Sequence, residues 1–323
     1  MQSTSKKGVI HQRLHIVGTL ILLVLIAGCN ALDKQTPTPT IEALSSEGLS
    51  IQPVAERDYL DQVYCTVEGV ELRFDLSYPP QGEKPYPLVI YVHGGSWREG
   101  DKRGGAGMEF KEPLLNAGYA FASIDYRLSP DVIFPAHIQD VKCAVRYFRA
   151  NASQLGVSPD QIVALGGSAG AHLVALLGLT ANQDLWEETS GYPNISSEMA
   201  VVVDLFGPTD LSGMTFPSYQ DAFMDVFGEA INSEGQMWSY SPLAYVSEKA
   251  PPFLILYGNA DKVVALHHSE RLYHALQDEG VPVELIVVRG GGHSLNLFNQ
   301  MASPSKDELT QSLLSFLDEY LGD

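Results

Sequence analysis

The chain has 323 residues and is 45% hydrophobic, enough for one large domain with a substantial core. Lysine and arginine number 20 against 39 aspartates and glutamates, a formal charge of -19. That balance argues against a nucleic-acid partner, which is held through basic surface, and by itself requires nothing beyond solubility.

Residues 1–28 read as a targeting segment. Lys6, Lys7 and Arg13 form a basic start, and Ile16 to Gly28 is an apolar stretch of 13 residues. A bilayer span needs about 20, so a signal peptide is expected rather than a permanent transmembrane helix. Ile26-Ala27-Gly28-Cys29 resembles a bacterial lipobox, which implies lipidation of Cys29 as the first residue of the mature protein. The expectation is an exported lipoprotein, membrane-anchored at the cell surface or the periplasmic face, since several acyl chains hold a protein firmly. Residues 29–53 follow as a linker, with an extended Thr36-Pro37-Thr38-Pro39-Thr40 and a polar Ser45-Ser46-Glu47-Gly48. Residues 54–323 are expected to form a single globular domain.

From Tyr59 onward, short apolar runs alternate with longer amphipathic stretches, which predicts an α/β fold. The strands predicted are Leu60–Val67, Val70–Tyr78, Leu88–His93, Ala120–Asp125, Gln161–Leu165, Ala200–Leu205, Phe253–Tyr257 and Val283–Val288. Helices are predicted over Gly107–Ala117, His137–Leu155, Ala169–Ala181, His267–Glu279 and Lys306–Leu321. In the second of these, Ile138, Val141, Ala144, Val145 and Phe148 form a core-facing stripe. The first two strands read as an antiparallel pair, and those after them, connected through helices, as parallel. Leu211 to Ala250 carries Phe216, Tyr219, Phe223, Phe227, Trp238 and Tyr240, and is expected to form short helices over a site. Cys65 falls in a strand and Cys143 in a helix; two buried free thiols are expected, although export would permit a disulfide. Neither cysteine has metal-site spacing, and no metal is expected.

Gly166-Gly167-Ser168-Ala169-Gly170 joins the apolar run Ile162–Leu165 to the helix beginning at Ala169. A G-x-S-x-G at a strand-to-helix junction is a sharp turn that pushes a serine hydroxyl out above the sheet. Its outer glycines are expected where the two backbones pass too closely for a Cβ. Ligands of open α/β sheets bind outside the carboxyl ends of the strands. Asp261 and His293 also follow strands there, in Gly258-Asn259-Ala260-Asp261-Lys262 and Gly290-Gly291-Gly292-His293. A serine needs a base to take its proton, and the base needs a carboxylate to orient it, so Ser168, His293 and Asp261 are the predicted triad. Asp204, after a different strand, is the alternative acid, with Asp210 as a further competitor. His172, His267 and His268 are expected to be packing or exposed residues. His93-Gly94-Gly95-Ser96-Trp97 follows the third strand and supplies backbone N–H groups that can approach a developing oxyanion. Gly94, Gly95 or Ser96 would donate together with Ala169, while His93 would brace the loop and Trp97 is a candidate pocket residue.

Together with Asp125-Tyr126-Arg127-Leu128-Ser129-Pro130, Phe134-Pro135-Ala136 and Asp140-Val141, these segments resemble the α/β-hydrolase fold. The branch resembled is the hormone-sensitive-lipase-like and bifunctional feruloyl/acetyl-xylan esterase group, over the region from about Tyr59 to the C-terminus. The resemblance implies a mostly parallel eight-stranded sheet flanked by helices, and a serine carboxylesterase that needs no cofactor. Short acyl esters, acetyl or feruloyl, as small molecules or on polysaccharide, are the expected substrates. Two readings stay open: an amide hydrolase such as an arylformamidase or a serine peptidase, and a non-catalytic surface-binding lipoprotein.

Overall fold

In a computed structural model the chain divides into two compact units, Met1–Leu49 and Ser50–Asp323. The structure describes residues 58–181, 183, 185–187, 191–212, 220–295 and 302–322, all in the second unit. The predicted signal, Cys29 and the linker lie outside the described residues, as do Phe216 and Tyr219.

All eight predicted strands are present: β1 (Asp58–Val67), β2 (Val70–Ser77), β3 (Tyr86–Val92), β4 (Ala120–Ile124), β5 (Val157–Gly167), β6 (Val201–Leu205), β7 (Phe253–Gly258) and β8 (Val283–Val288). They form one sheet in the order β1-β2-β4-β3-β5-β6-β7-β8. β2 is antiparallel to both β1 and β4, and every other pairing is parallel. The period-two alternation of side chains builds a core on each face. Leu88, Ile90 and Val92 of β3 join one cluster while Val89 and Tyr91 join the other.

The helices divide between these faces. On the first lie α2 (Ala136–Ala150), α3 (Ala152–Leu155), α4 (Ala169–Thr180) and α7 (His267–Asp278); on the second lie α1 (Lys111–Asn116) and α8 (Lys306–Leu321). The stripe predicted for α2 is fully buried, and α4 is buried on every side, as its lack of charged residues requires. Two predicted helices are broken. A 3-10 turn, Ala106–Phe110, precedes α1, because Pro113 has no N–H with which to continue an α-helix through that point. The long helix stops at Ala150, where the Asn151 side chain donates to the Tyr147 carbonyl at 2.8 Å and competes with the helix's own pattern. Between β6 and β7 the expected short helices are α5 (Gln220–Phe227) and α6 (Glu234–Ser239), with 3-10 turns at Gly228–Asn232 and Pro242–Tyr245.

The expectation of free thiols is overturned. Cys65 and Cys143 form a disulfide, with their Cα atoms 6.5 Å apart. Assigning one cysteine to a strand and the other to a helix says nothing about which strand that helix covers. α2 packs over β1, so the two buried sulfurs meet across the layer.

The connection after β3 leads to β4 on one side, and the connection after β5 leads to β6 on the other. The crevice between β3 and β5 is therefore the switch point where an open α/β sheet accommodates ligands. The Gly94-Gly95 loop and Ser168 both emerge there.

Candidate active site

Ser168 sits between β5 and α4 with φ 55° and ψ -118°, a left-handed conformation that a serine adopts only under constraint. The constraint comes from its neighbours. A Cβ on Gly166 would lie 2.3 Å from the Gly170 carbonyl oxygen, and one on Gly170 would lie 2.1 Å from that of Val92. The two outer glycines of the motif thus let strand, turn and helix pass within contact distance, as the sequence pattern predicts.

The hydroxyl points at an imidazole. His293 Nε2 lies 2.8 Å from Ser168 Oγ, and His293 Nδ1 lies 2.7 Å from Asp261 Oδ2. The Asp261 side chain is fully buried and its other oxygen accepts the N–H groups of Val263 at 2.7 Å and Val264 at 3.1 Å. The carboxylate is thereby fixed by its own turn before it meets the histidine. Such a chain can move the serine proton to Nε2 while Asp261 stabilises the resulting imidazolium. Loops after β5, β7 and β8 bring the predicted residues together, although they lie far apart in sequence.

Beside the elbow, the loop after β3 carries consecutive positive φ values at Gly95 (115°), Ser96 (52°) and Trp97 (59°). The Gly95 carbonyl accepts the N–H groups of Arg98 and Glu99, both at 3.0 Å, which folds the loop back on itself. A Cβ on Gly94 would meet the Gly167 carbonyl at 2.7 Å, so the loop runs directly against the Ser168 turn. The N–H groups of Gly94, Gly95, Ser96 and Ala169 have no hydrogen-bond partner among the described residues. Ala169 is the first residue of α4, whose N-terminal N–H groups favour negative charge. This set of donors suits an oxyanion. His93 takes the bracing role expected of it: buried, stacked on Tyr126 at 4.4 Å, with Nδ1 2.7 Å from the Gly94 carbonyl oxygen. Burial pushes its pKa down. The neighbouring motif residues are also scaffolding, since Asp125 accepts from the Lys102 backbone and ammonium while Arg127 clamps the buried Asp140 with both its backbone and its guanidinium.

These parts open onto a cleft of about 590 Å³, lined by Gly95, Ser96, Trp97, Ser168 and Ala169 below and by Ala222, Phe223 and Val226 of α5. Trp97 is 3% exposed and packs edge-on against His172, Phe223 and Phe227. Phe227 is buried, whereas Trp238 remains exposed on α6.

The competing residues are placed elsewhere. Asp204 is buried inside β6, where its Oδ1 accepts the Gly207 N–H at 2.7 Å and its Oδ2 has no partner among the described residues. Burial pushes its pKa up to about 6. Asp210 pairs with Arg271 and accepts from Ser212. His172 is buried with Nε2 2.8 Å from the Tyr240 carbonyl oxygen, and burial holds its pKa down at about 4. His268 is buried against Thr209 and Asp210, while His267 is exposed. Sequence reasoning missed Phe206, whose ring lies 4.8 Å from that of His293. Its place at the carboxyl end of β6 was the available signal. Lys262 and Val263, on the cleft wall, were also missed, because only the turn that closes around Asp261 brings them there.

Comparison with known proteins agrees with this architecture. Residues 74–276 match the family model described as BD-FAE, a span that contains the Gly94–Trp97 loop, Ser168 and Asp261 and ends before His293. The chain is 34% identical over 200 residues to esterase LipQ of Mycobacterium tuberculosis, covering 60% of this chain and 46% of that protein. To esterase LipC of the same organism it is 32% identical, covering 67% of this chain and 55% of that protein. It thus spans about half the length of these curated relatives. Among solved structures, a truncated carbohydrate esterase from gut microbiota superposes with a TM-score of 0.69 at 28% identity, covering 82% of this chain and 96% of that one. The fold is that of the α/β hydrolases.

Proposed function

The chain belongs to the BD-FAE family, and from that premise we propose that it is a serine carboxylic ester hydrolase working through an acyl-enzyme on Ser168. The observation that carries this reading is the continuous Ser168–His293–Asp261 hydrogen-bond chain, whose Ser168 lines the cleft. Ser168 Oγ gives its proton to His293 Nε2 as it attacks the ester carbonyl carbon. The carbonyl oxygen becomes an oxyanion held by N–H groups of the Gly95–Ser96 loop and of Ala169. His293 then protonates the departing alcohol oxygen, and the acyl group stays on Ser168. A water molecule, losing its proton to the same nitrogen, attacks the acyl carbon; the acid leaves and Ser168 regains its proton.

For substrates we propose short acyl esters, acetyl or feruloyl in type, free or attached to carbohydrate. The resemblance to a carbohydrate esterase and the apolar wall that Ala222, Phe223 and Val226 of α5 give the cleft support this choice. Export and anchoring through Cys29 are part of the same proposal. The Cys65–Cys143 bridge supports it, because disulfides persist in oxidising compartments. Substituting Ser168→Ala should abolish hydrolysis of p-nitrophenyl acetate while the circular dichroism spectrum and melting temperature stay those of a folded protein; retained turnover would overturn the assignment. Acetyl and butyryl esters should be cleaved faster than decanoyl ones, and the opposite ranking would refute the acyl preference.

A further inference from the structure

The turn that fixes Asp261 also builds part of the cleft wall. With Oδ1 accepting the N–H groups of Val263 and Val264, the backbone curls around the carboxylate, and Lys262 and Val263 line the cleft. The position of Lys262 relative to Ser168 is therefore set by the same bonds that hold the triad. Its side chain is exposed and makes no ion pair among the described residues. Two other charged residues border the cleft, both on the loop after β3. Arg98 is engaged with Asp225 of α5 at 2.8 Å, and Glu99 is an exposed carboxylate.

Chemistry decides which part of a substrate meets Lys262. The carbonyl oxygen must face the Gly95, Ser96 and Ala169 N–H groups, and the departing alcohol oxygen must lie against His293 Nε2 to receive its proton. Asp261 stands behind His293, so residues of its turn that reach the cleft border the alcohol portion. A chain of formal charge -19 repels anions at long range. An ammonium on the cleft wall with no ion-pair partner among the described residues offsets that repulsion locally.

We infer that Lys262 selects esters whose alcohol portion carries a carboxylate, as an acidic sugar does; this rests on the reading of Ser168 as the acylated nucleophile. Exposed charge pairs are modest, so the selectivity attributable to Lys262 is about 5-fold, and it weakens with salt because the pair is solvent-screened. The test compares kcat/KM for 4-carboxyphenyl acetate and for its methyl ester, in the full chain and in the variants Lys262→Met, Lys262→Arg and Lys262→Glu. The ratio of the two values cancels general losses, and turnover of the methyl ester reports folding. The ratio should fall about 5-fold in Lys262→Met, fall further in Lys262→Glu and stay near the parent value in Lys262→Arg. Added salt should lower the parent ratio toward that of Lys262→Met. An unchanged ratio in Lys262→Met, with hydrolysis still dependent on Ser168, overturns this inference alone. Hydrolysis of the methyl ester that survives Ser168→Ala overturns the underlying reading and the inference with it.

Discussion

Asp261, in the turn after β7, and Asp204, near the end of the neighbouring strand β6, differ mainly in what surrounds their oxygens. Both are buried carboxylates at the same edge of the sheet. Asp261 has two backbone N–H groups on one oxygen and His293 on the other. Asp204 has one backbone N–H and an oxygen with no partner among the described residues, and burial raises its pKa to about 6. A strand end offers a carboxylate a place near a ligand, but the turn after β7 offers the N–H groups that hold one oxygen and aim the other at His293.

The contrast can be broken most directly by exchanging the charge at each position. Asp261→Asn should lower kcat/KM by about 10⁴-fold, the scale seen when a triad loses its orienting carboxylate. Asp204→Asn should leave kcat/KM within a few-fold, so comparable losses in the two variants would refute the distinction. Next in size is the loop after β3, proposed to hold the oxyanion. Gly95 has φ 115°, and a Cβ there would lie 2.0 Å from the Glu99 carbonyl oxygen. Gly95→Ala should therefore displace the donors and cost about 10²–10³ in kcat, with KM less affected; an unaltered kcat would remove this loop from the mechanism.

Two further predictions concern stability. The Cys65–Cys143 bridge closes a loop of 78 residues, and its replacement by two alanines should cost about 2–4 kcal/mol in denaturant unfolding. An unchanged midpoint would mean that packing of α2 on β1 suffices alone. For Asp204 the sign follows from its folded pKa of about 6, above the roughly 3.9 of an unfolded aspartate. The protonated form suits the buried site, so the stability contribution is fully present below about pH 4 and is lost as pH rises through 6. Asp204→Asn should thus gain on the parent protein between pH 4 and pH 8 by up to about 2–3 kcal/mol. A melting-temperature difference that does not vary with pH would contradict that sign.

The strands were legible because each is an apolar run bounded by breakers, and the meeting of Ser168, Asp261 and His293 because one topological rule places three loops at one sheet edge. Helix ends were less legible, since Pro113 and Asn151 act through single backbone bonds that periodicity does not register. The disulfide was misread because its formation depends on which strand α2 covers, a long-range fact absent from local pattern. The cleft wall was legible only in part. Phe223 stood out as an aromatic, whereas Lys262 gains meaning only from the turn that Asp261 holds.

In the proposed reaction an acyl group passes through Ser168. Acid quenching during turnover of p-nitrophenyl acetate, followed by peptide mass mapping, examines it without inference from rates. One acetyl adduct is expected, on the peptide containing Ser168, and none in Ser168→Ala. Sustained turnover with the adduct on another residue, or an undiminished rate in Ser168→Ala, would contradict it.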